Sequence, residues 1–325
     1  MIPTFRLEAD GADASGPVTD RLISLTVTDE DGETADRLNI TLDDRGGRIA
    51  FPKIEATLDL WLGFRGHPLS YIGRYFIDGV SGEGGPDTMT ISAAAIDLKS
   101  PIRAPRSRAW EDKTLQQIVE TIAAEAGLLP VVGNSVATEH WPYLAQTAES
   151  DLNFLTRIAG QLDATAKAAA GRLVVARRGE GRTPAGDPIE ALAIAPMRLR
   201  PGWRWELGKR DGYGSIEARW ADMAGGETRS IIRGDEDPRR TLRHVYSSEA
   251  EAARAAEAEL RRAARGTLKL DATLAGFEPA LFAGGRIDLR GVRDPLQGEW
   301  HIDQVRHQLS DGLTTSLRAR RKFDD

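Results

Sequence analysis

The 325-residue sequence has no cysteine, only five histidines, an aromatic content of 6% and a net charge of just −6. Without cysteine it has no disulfide, thiolate zinc site, iron–sulfur cluster or thiol nucleophile. No stretch reaches the roughly 18–20 apolar residues of a membrane span. The start, MIPTFRLEADG, lacks a basic-then-apolar signal, so a chain made inside the cell without membrane insertion is expected. With 43 Lys+Arg against 49 Asp+Glu, there is no broad basic footprint of a nucleic-acid binder. What is present is globular: 41% hydrophobic residues and 33 glycines. A single core stops growing at about 250–300 residues, so two or three domains are expected.

Residues 22–100 alternate apolar and polar positions in short runs: LISLTVTD, RLNITLDD, TLDLWLGF, GRYFIDGV and TMTISAAA. Gly, Pro and Asp clusters separate them, which predicts antiparallel strands in a sandwich or barrel. SPIRAPRSRAWEDKT, at 100–114, reads as a linker by its prolines and basic residues. A helix follows, capped by Thr114 with Gln117 in the reciprocal position, apolar at Leu115, Ile118, Val119, Ile122 and Ala126, and stopped by Gly127. Ser150 caps a second helix whose stripe is Leu152, Leu155, Ile158, Ala159 and Leu162; GRLVVARR then reads as a strand. Further strands begin at WRWEL, GSIEARW and TRSII. A helix over 248–265 has Ser248 and Glu251 as a capping box, an alanine-rich face suited to a flat sheet, and an end at Gly266. LKLDATL, GRIDLRG, GEWHIDQV and LTTSLRAR complete the chain. The expected fold is α+β and β-rich: a first β-barrel domain (1–100), a small α+β module (101–190), and a second, similar barrel (191–325) that carries the 248–265 helix.

Similarity of the two barrels rests on an internal repeat. Leu58-Asp59-Leu60, Pro68-Leu69 and GRYFIDGV recur as Ile287-Asp288-Leu289, Pro295-Leu296 and GEWHIDQV. The repeated barrel motif is Gly73, Tyr75, Ile77, Asp78 and Val80, matched by Gly298, Trp300, Ile302, Asp303 and Val305. On a regular strand, Tyr75 and Ile77 (Trp300 and Ile302) face one way. Asp78 and Val80 (Asp303 and Val305) face the other.

No nucleophile elbow, paired-histidine metal helix or phosphate-binding loop occurs. His301, Asp303 and His307 share a face of a regular strand, but the histidines lie too far apart along it to share an ion. Asp29, Glu30, Asp31, Asp43 and Asp44 fall in predicted turns, where Asp bonds its own backbone. A glycosidase-type carboxylate pair would need partners that meet only in space. Arg103, Arg106 and Arg108 are expected as a solvated linker, or as a grip on an acidic partner. Trp203, Trp205 and Trp220 suit packing more than sugar stacking. The sequence therefore points to no catalytic residue, cofactor or metal.

The middle of the chain resembles the phage late-control protein D family, baseplate hubs of contractile tails, and the hub part of VgrG spike proteins of type VI secretion. The resemblance is carried by DKTLQQIVETIAAEAGL and by a helix start at Glu149, Ser150, Asp151, Phe154 and Leu155. A strand at Gly171, Arg172 and Leu173 and the closing VRHQLSDGLTTSLRA complete it. It implies a structural, non-enzymatic hub: a homotrimer whose six barrels adapt a sixfold tail tube to a threefold spike and form part of the DNA conduit. The chain ends after the repeated barrel, so a separate spike protein is expected. The remaining implied partners are the tail tube, tape-measure and baseplate wedge proteins, with DNA only in transit. The implied location is the virion tail baseplate, assembled in the host cytoplasm. Alternatives are the hub of a type VI or other contractile injection system, a cell-wall hydrolase, or a carbohydrate-binding β protein. The two barrel regions differ in sign, net −8 over 1–100 and +3 over 191–325, so acidic and basic barrels are expected to alternate around such a ring.

Overall fold

Period-two alternation produces strands where the sequence predicts them, because one face of each meets a core and the other meets water. The computed structural model describes residues 1–31, 36–95, 101–169, 171–177, 190–208, 213–222, 225–264 and 268–321. The first part holds β1 (Pro3–Ala9), β2 (Ala12–Asp13), α1 (Ser15–Thr19), β3 (Leu22–Glu30), β4 (Arg37–Asp43), β5 (Thr57–Phe64), β6 (Ser70–Glu83) and β7 (Thr88–Ala94). The middle holds β8 (Pro105–Thr114), α2 (Leu115–Ala126), β9 (Leu129–Val132), α3 (Asn134–Ala137), β10 (His140–Ser150), α4 (Asp151–Gln161), β11 (Ala164–Ala169) and β12 (Arg172–Arg177). The last part holds β13 (Leu192–Ile194), β14 (Arg204–Leu207), β15 (Ser215–Asp222), β16 (Glu227–Gly234), β17 (Arg239–Tyr246) and α5 (Glu249–Ala264). It closes with β18 (Leu268–Thr273), β19 (Arg286–Leu289), β20 (Gly298–Leu309) and β21 (Leu313–Arg321).

Thirteen strands form one sheet, in the order β14-β18-β21-β20-β3-β4-β7-β6-β5-β1-β2, with β13 on β19 and β19 on β20. This β-rich fold comprises two similar barrel units joined where β3 meets β20. The first has its own core, including Leu25, Val27, Leu38, Ile40, Leu60, Leu62 and Tyr75. Leu270, Ile287, Leu289, Trp300, Ile302 and Leu317 build the second.

The module between them has a separate core, around Ile118, Ile122, Phe154, Leu155, Ile158, Leu173 and Val175. Local chemistry sets its helices as expected. Thr114 Oγ1 accepts from the Gln117 backbone while the Gln117 side chain accepts from the Thr114 backbone, and Gly127 ends α2 at φ 67°. The expected linker at 100–114 is corrected: most of it is β8, paired antiparallel with β10 from Thr114–His140 to Pro105–Ser150. Trp110 on β8 is buried, and Arg106 and Arg108 bind acids within the module, so tertiary partners override the loop-like composition.

The alanine face of α5 (Ala252, Ala255 and Ala256) packs on Ile216 and Ala218 of β15. The flat surface it meets is thus the separate sheet β16-β15-β17, not the barrel strands themselves. At its start, Glu251 N donates to Ser248 Oγ, but the Glu251 carboxylate turns back to Ser247 rather than Ser248. The predicted stop at Arg265 and Gly266 lies outside the described residues. Among the described residues, no helix is long and apolar enough to cross a membrane.

Two substitutions measure how local and tertiary terms share the module's stability. Thr114→Ala removes one cap bond and should cost about 1 kcal/mol in urea unfolding. Phe154→Ala empties a fully buried site that stacks on Trp110 at 5.9 Å, and should cost about 3–5 kcal/mol.

Candidate functional site

The repeat reappears as one hydrogen-bonded frame built twice. In the first unit Leu58 pairs with Tyr75 and Leu60 with Gly73; in the second Ile287 pairs with Trp300 and Leu289 with Gly298. Downstream, Ile77 pairs with Ala93 and Gly79 with Ser92, so Asp78 is the extra residue of a bulge. Ile302 pairs with Ala319 and Gln304 with Arg318, which puts Asp303 in the same bulge. Both motif glycines are closely overlain: a Cβ at Gly73 would lie 3.2 Å from the Tyr75 hydroxyl, and one at Gly298 3.1 Å from the Arg321 guanidinium.

The bulge corrects the expected faces. An inserted residue reverses the alternation beyond it. Trp300 and Ile302 are buried before the bulge, and Val305, His307 and Leu309 are buried after it, so Val305 faces the core rather than joining His301 and Asp303. The expected common face of His301 and His307 is likewise lost. His307 lies inside, Nδ1 2.9 Å from Thr315 Oγ1 and edge-on to Phe277; burial holds its imidazole down to about 4.

Six residue pairs, from Leu25–Leu309 to Glu30–Gln304, join β3 to β20 and so join the two units. Asp29, one pair from the end of this ladder, is a three-way clasp. Its Oδ1 accepts from Lys167 Nζ of the module at 2.7 Å, and its Oδ2 accepts from the backbone of Ala283 in the second unit at 2.8 Å. Lys167 Nζ also lies 2.6 Å from Asp36 and donates to the Glu30 carbonyl. Burial, then the neighbouring Asp29 charge, pushes the Asp36 carboxyl up to about 7 against the pull of Lys167. The ammonium is held above its usual range because the two carboxylates outweigh its burial. Sequence reasoning assigned Asp29 to a turn and passed over Lys167 and Asp36. The available signal was one cation inside the apolar run ATAKAAA.

Asp31, His301 and Asp303 gather at the same seam, with ligand atoms within 4.8 Å of one another. His301 Nε2 is 2.6 Å from Asp31, while Arg320 lies 2.8 Å from Asp303 and 3.8 Å from Asp31. Arg320 thus brings a positive charge of its own, and the cluster reads as an ion-pair network.

The family-motif residues build the module. Ser150 Oγ accepts from the Asn153 backbone and Glu149 pairs with Arg157. Asp151 is buried and accepts from Arg108 and Gln146, both at 2.7 Å. Phe154, Leu155 and Leu173 are core, Gly171 turns at φ 73°, and Arg172 is exposed. Of the arginine run expected as a solvated linker or a grip on an acidic partner, Arg103 is exposed, while Arg106 and Arg108 both meet Glu125 and Asp151 within the module. Asp43 and Glu30 are the last residues of strands β4 and β3 rather than turn residues, while Asp43 and Asp44 flank the following turn and accept from the backbones of Arg45 and Ile49.

The clasp makes a pH prediction. Folded Asp36 keeps its proton up to about 7, whereas an unfolded aspartate releases it near 3.9. Its contribution is whole below about pH 4 and is lost as pH rises through about 7. Asp36→Asn should remove this slope, so the variant gains on the parent between pH 5 and 8 in urea midpoints. Lys167→Met leaves two acids facing each other and should cost about 3 kcal/mol at neutral pH.

The family of phage tail baseplate hubs (GPD) matches residues 85–313. The probable baseplate hub protein of Escherichia phage 186 is 30% identical over all of this chain and 94% of its own length. That of Escherichia phage P2 is 27% identical, over 100% and 95%. The 43 kDa tail protein of prophage MuSo2 from Shewanella oneidensis shares the fold, with a TM-score of 0.71 at 17% identity, covering 99% of this chain and all of that one. The E. coli c3393 protein, a type VI secretion component, has a TM-score of 0.56 at 13% identity, covering 94% and 74%. With a duplicated β frame, a module built by the family motif and full-length likeness to two phage hubs, the chain belongs to the phage tail baseplate hub family.

Proposed function

We propose that this chain is the central hub of a contractile phage tail baseplate, working as a homotrimer that adapts a sixfold tail tube to a threefold spike. The observation that carries this reading is the frame built twice, with the same register and the same bulge. Two alike units per chain turn three chains into six alike positions, while the module at 101–190 occurs once and keeps the threefold character. Residues 1–100, 101–190 and 191–325 act as the corresponding domains. The ring would contribute to the DNA conduit, with the tube protein on one side and a separate spike protein on the other. Tape-measure and wedge proteins are its further neighbours, and the host cytoplasm is its place of assembly. Its work on this reading is binding geometry, with no bond chemistry required.

The hub of a type VI or other contractile injection system is the second reading, favoured by the shared fold with the E. coli secretion component. Capsid genes rather than secretion genes around the coding sequence would decide for the phage tail.

Native mass measurement and single-particle imaging of the purified protein should give three chains in a ring with six similar β units around a channel. A monomer at all concentrations, alone and with tube and spike proteins, would overturn the proposal. Acidic first units and basic second units meeting head to tail should also make association weaken as salt rises from about 0.05 to 0.5 M. Association unmoved by salt would remove the charge argument.

A further inference from the structure

Comparing the two copies strand by strand reveals one missing partner. On the side of β20 away from β21, β19 pairs over Gly298–His301 and β3 over Gln304–Leu309, with the change of partner at the Asp303 bulge. On the corresponding side of β6, β5 pairs as far as Phe76. Beyond the Asp78 bulge, Gly79–Glu83 pair only with β7 among the described residues, and Ser81, Gly82 and Glu83 are exposed.

The strand that would fill the gap also has a counterpart. β3 reaches the frame through β4: Val27 pairs with Leu38, and Leu38 with Ala93. β14 reaches the second frame in the same way through β18: Trp205 pairs with Leu270, and Leu270 with Ala319. β14 is thus the second unit's β3. Its other edge is unpaired among the described residues, and all four of its residues are exposed, Trp205 by 41% and Leu207 by 50%. Open edges of this kind recruit another strand. β14 is at one end of the sheet, with six strands between it and β6, so its partner is not the β6 of its own chain.

We infer that β14 of one copy of this chain adds to the free segment Gly79–Glu83 of β6 in the next copy, repeating between subunits the β3–β20 joint made within each. This rests on the proposed ring and supplies its subunit contact. The register transfers directly. Val305–Asp29, Arg306–Thr28, His307–Val27 and Gln308–Thr26 become Val80–Leu207, Ser81–Glu206, Gly82–Trp205 and Glu83–Arg204. The side chains fit the transferred pairs. Glu83 faces Arg204 with opposite charge, and Val80 faces Leu207. Where the internal joint sets His307 against Val27, the new one sets glycine against tryptophan. Trp205 and Leu207 occupy the core-facing positions of Val27 and Asp29, which gives two exposed apolar side chains a place to be buried.

The absence of cysteine makes the test clean. Opposed residues on antiparallel strands have Cα atoms about 4.5–5.5 Å apart, within reach of a disulfide. The double variants Ser81→Cys/Glu206→Cys and Glu83→Cys/Arg204→Cys should oxidise to covalently linked trimers on non-reducing denaturing gels. Either cysteine alone, and the register-shifted pair Ser81→Cys/Arg204→Cys, should not. Separately, Glu83→Arg or Arg204→Glu should raise the subunit dissociation constant at least tenfold, and the two together should restore it. Trimers of correct native mass that neither cross-link at these pairs nor respond to the charge swap would overturn the strand pairing while leaving the hub reading intact. A chain that stays monomeric with its tube and spike partners would overturn both.

Discussion

The pairing of β3 with β20 is the constraint on which the rest depends. Six residues at the start of the chain are bonded to six near its end, and two β units with separate cores become one sheet. Burial of one face fixes strand register strongly, because a slip by one residue would exchange the core face for the solvent face along the whole strand. Here such a slip would pull Leu25 and Val27 from one core and expose His307 and Leu309. The clasp of Asp29, Asp36 and Lys167 is laid over the end of this ladder and brings the module to the same place. Three parts of the chain thus meet at one seam, held by backbone bonds first and by partly buried charges second.

Duplication explains why the two units agree in backbone and differ in decoration. A strand frame is specified by small residues where rings or guanidinium groups come close, by an aromatic and an isoleucine toward the core, and by a bulge that redirects the strand. Both copies keep these. The polar contacts around them have diverged: Asp59 binds Arg74 and Tyr71 in the first unit, whereas Asp288 binds Arg290 in the second. The sharpest divergence is after the bulge, where one copy continues with Val-Arg-His-Gln and is covered, and the other with Val-Ser-Gly-Glu and, among the described residues, pairs on one side only. Glycine and short polar residues suit an edge that must receive a partner, while a buried histidine bonded to threonine suits a joint that is permanently closed.

Much of the local structure was legible in the sequence because its causes are local. The caps at Thr114 and Ser150 bind backbone groups three residues away, Gly127 stops a helix by its own φ, and the strands of the first unit from β3 to β7 show in period-two alternation. β8 and β10 were not legible. β8 is largely polar and starts with a proline, β10 mixes apolar and polar residues around Pro142, and what keeps them extended is their pairing with one another and the Trp110, Gln146 and Asp151 contacts across it. The faces of the repeated strand were legible only as far as the bulge, since alternation carries no mark of an inserted residue.

By itself the sequence determined both ends of α2, the starts of α4 and α5, most strand positions, the existence of two like units and the residues that carry the family motif. Each of these follows from spacing along the chain. Only the tertiary structure decided that β3 pairs with β20, that Lys167 lies between Asp29 and Asp36, and that the two copies of one frame end, among the described residues, in a closed joint and an open edge. Those outcomes depend on contacts between residues up to 284 positions apart, such as Leu25 with Leu309. The free energy of such contacts comes from burial and pairing in three dimensions, which no periodicity within a single segment records.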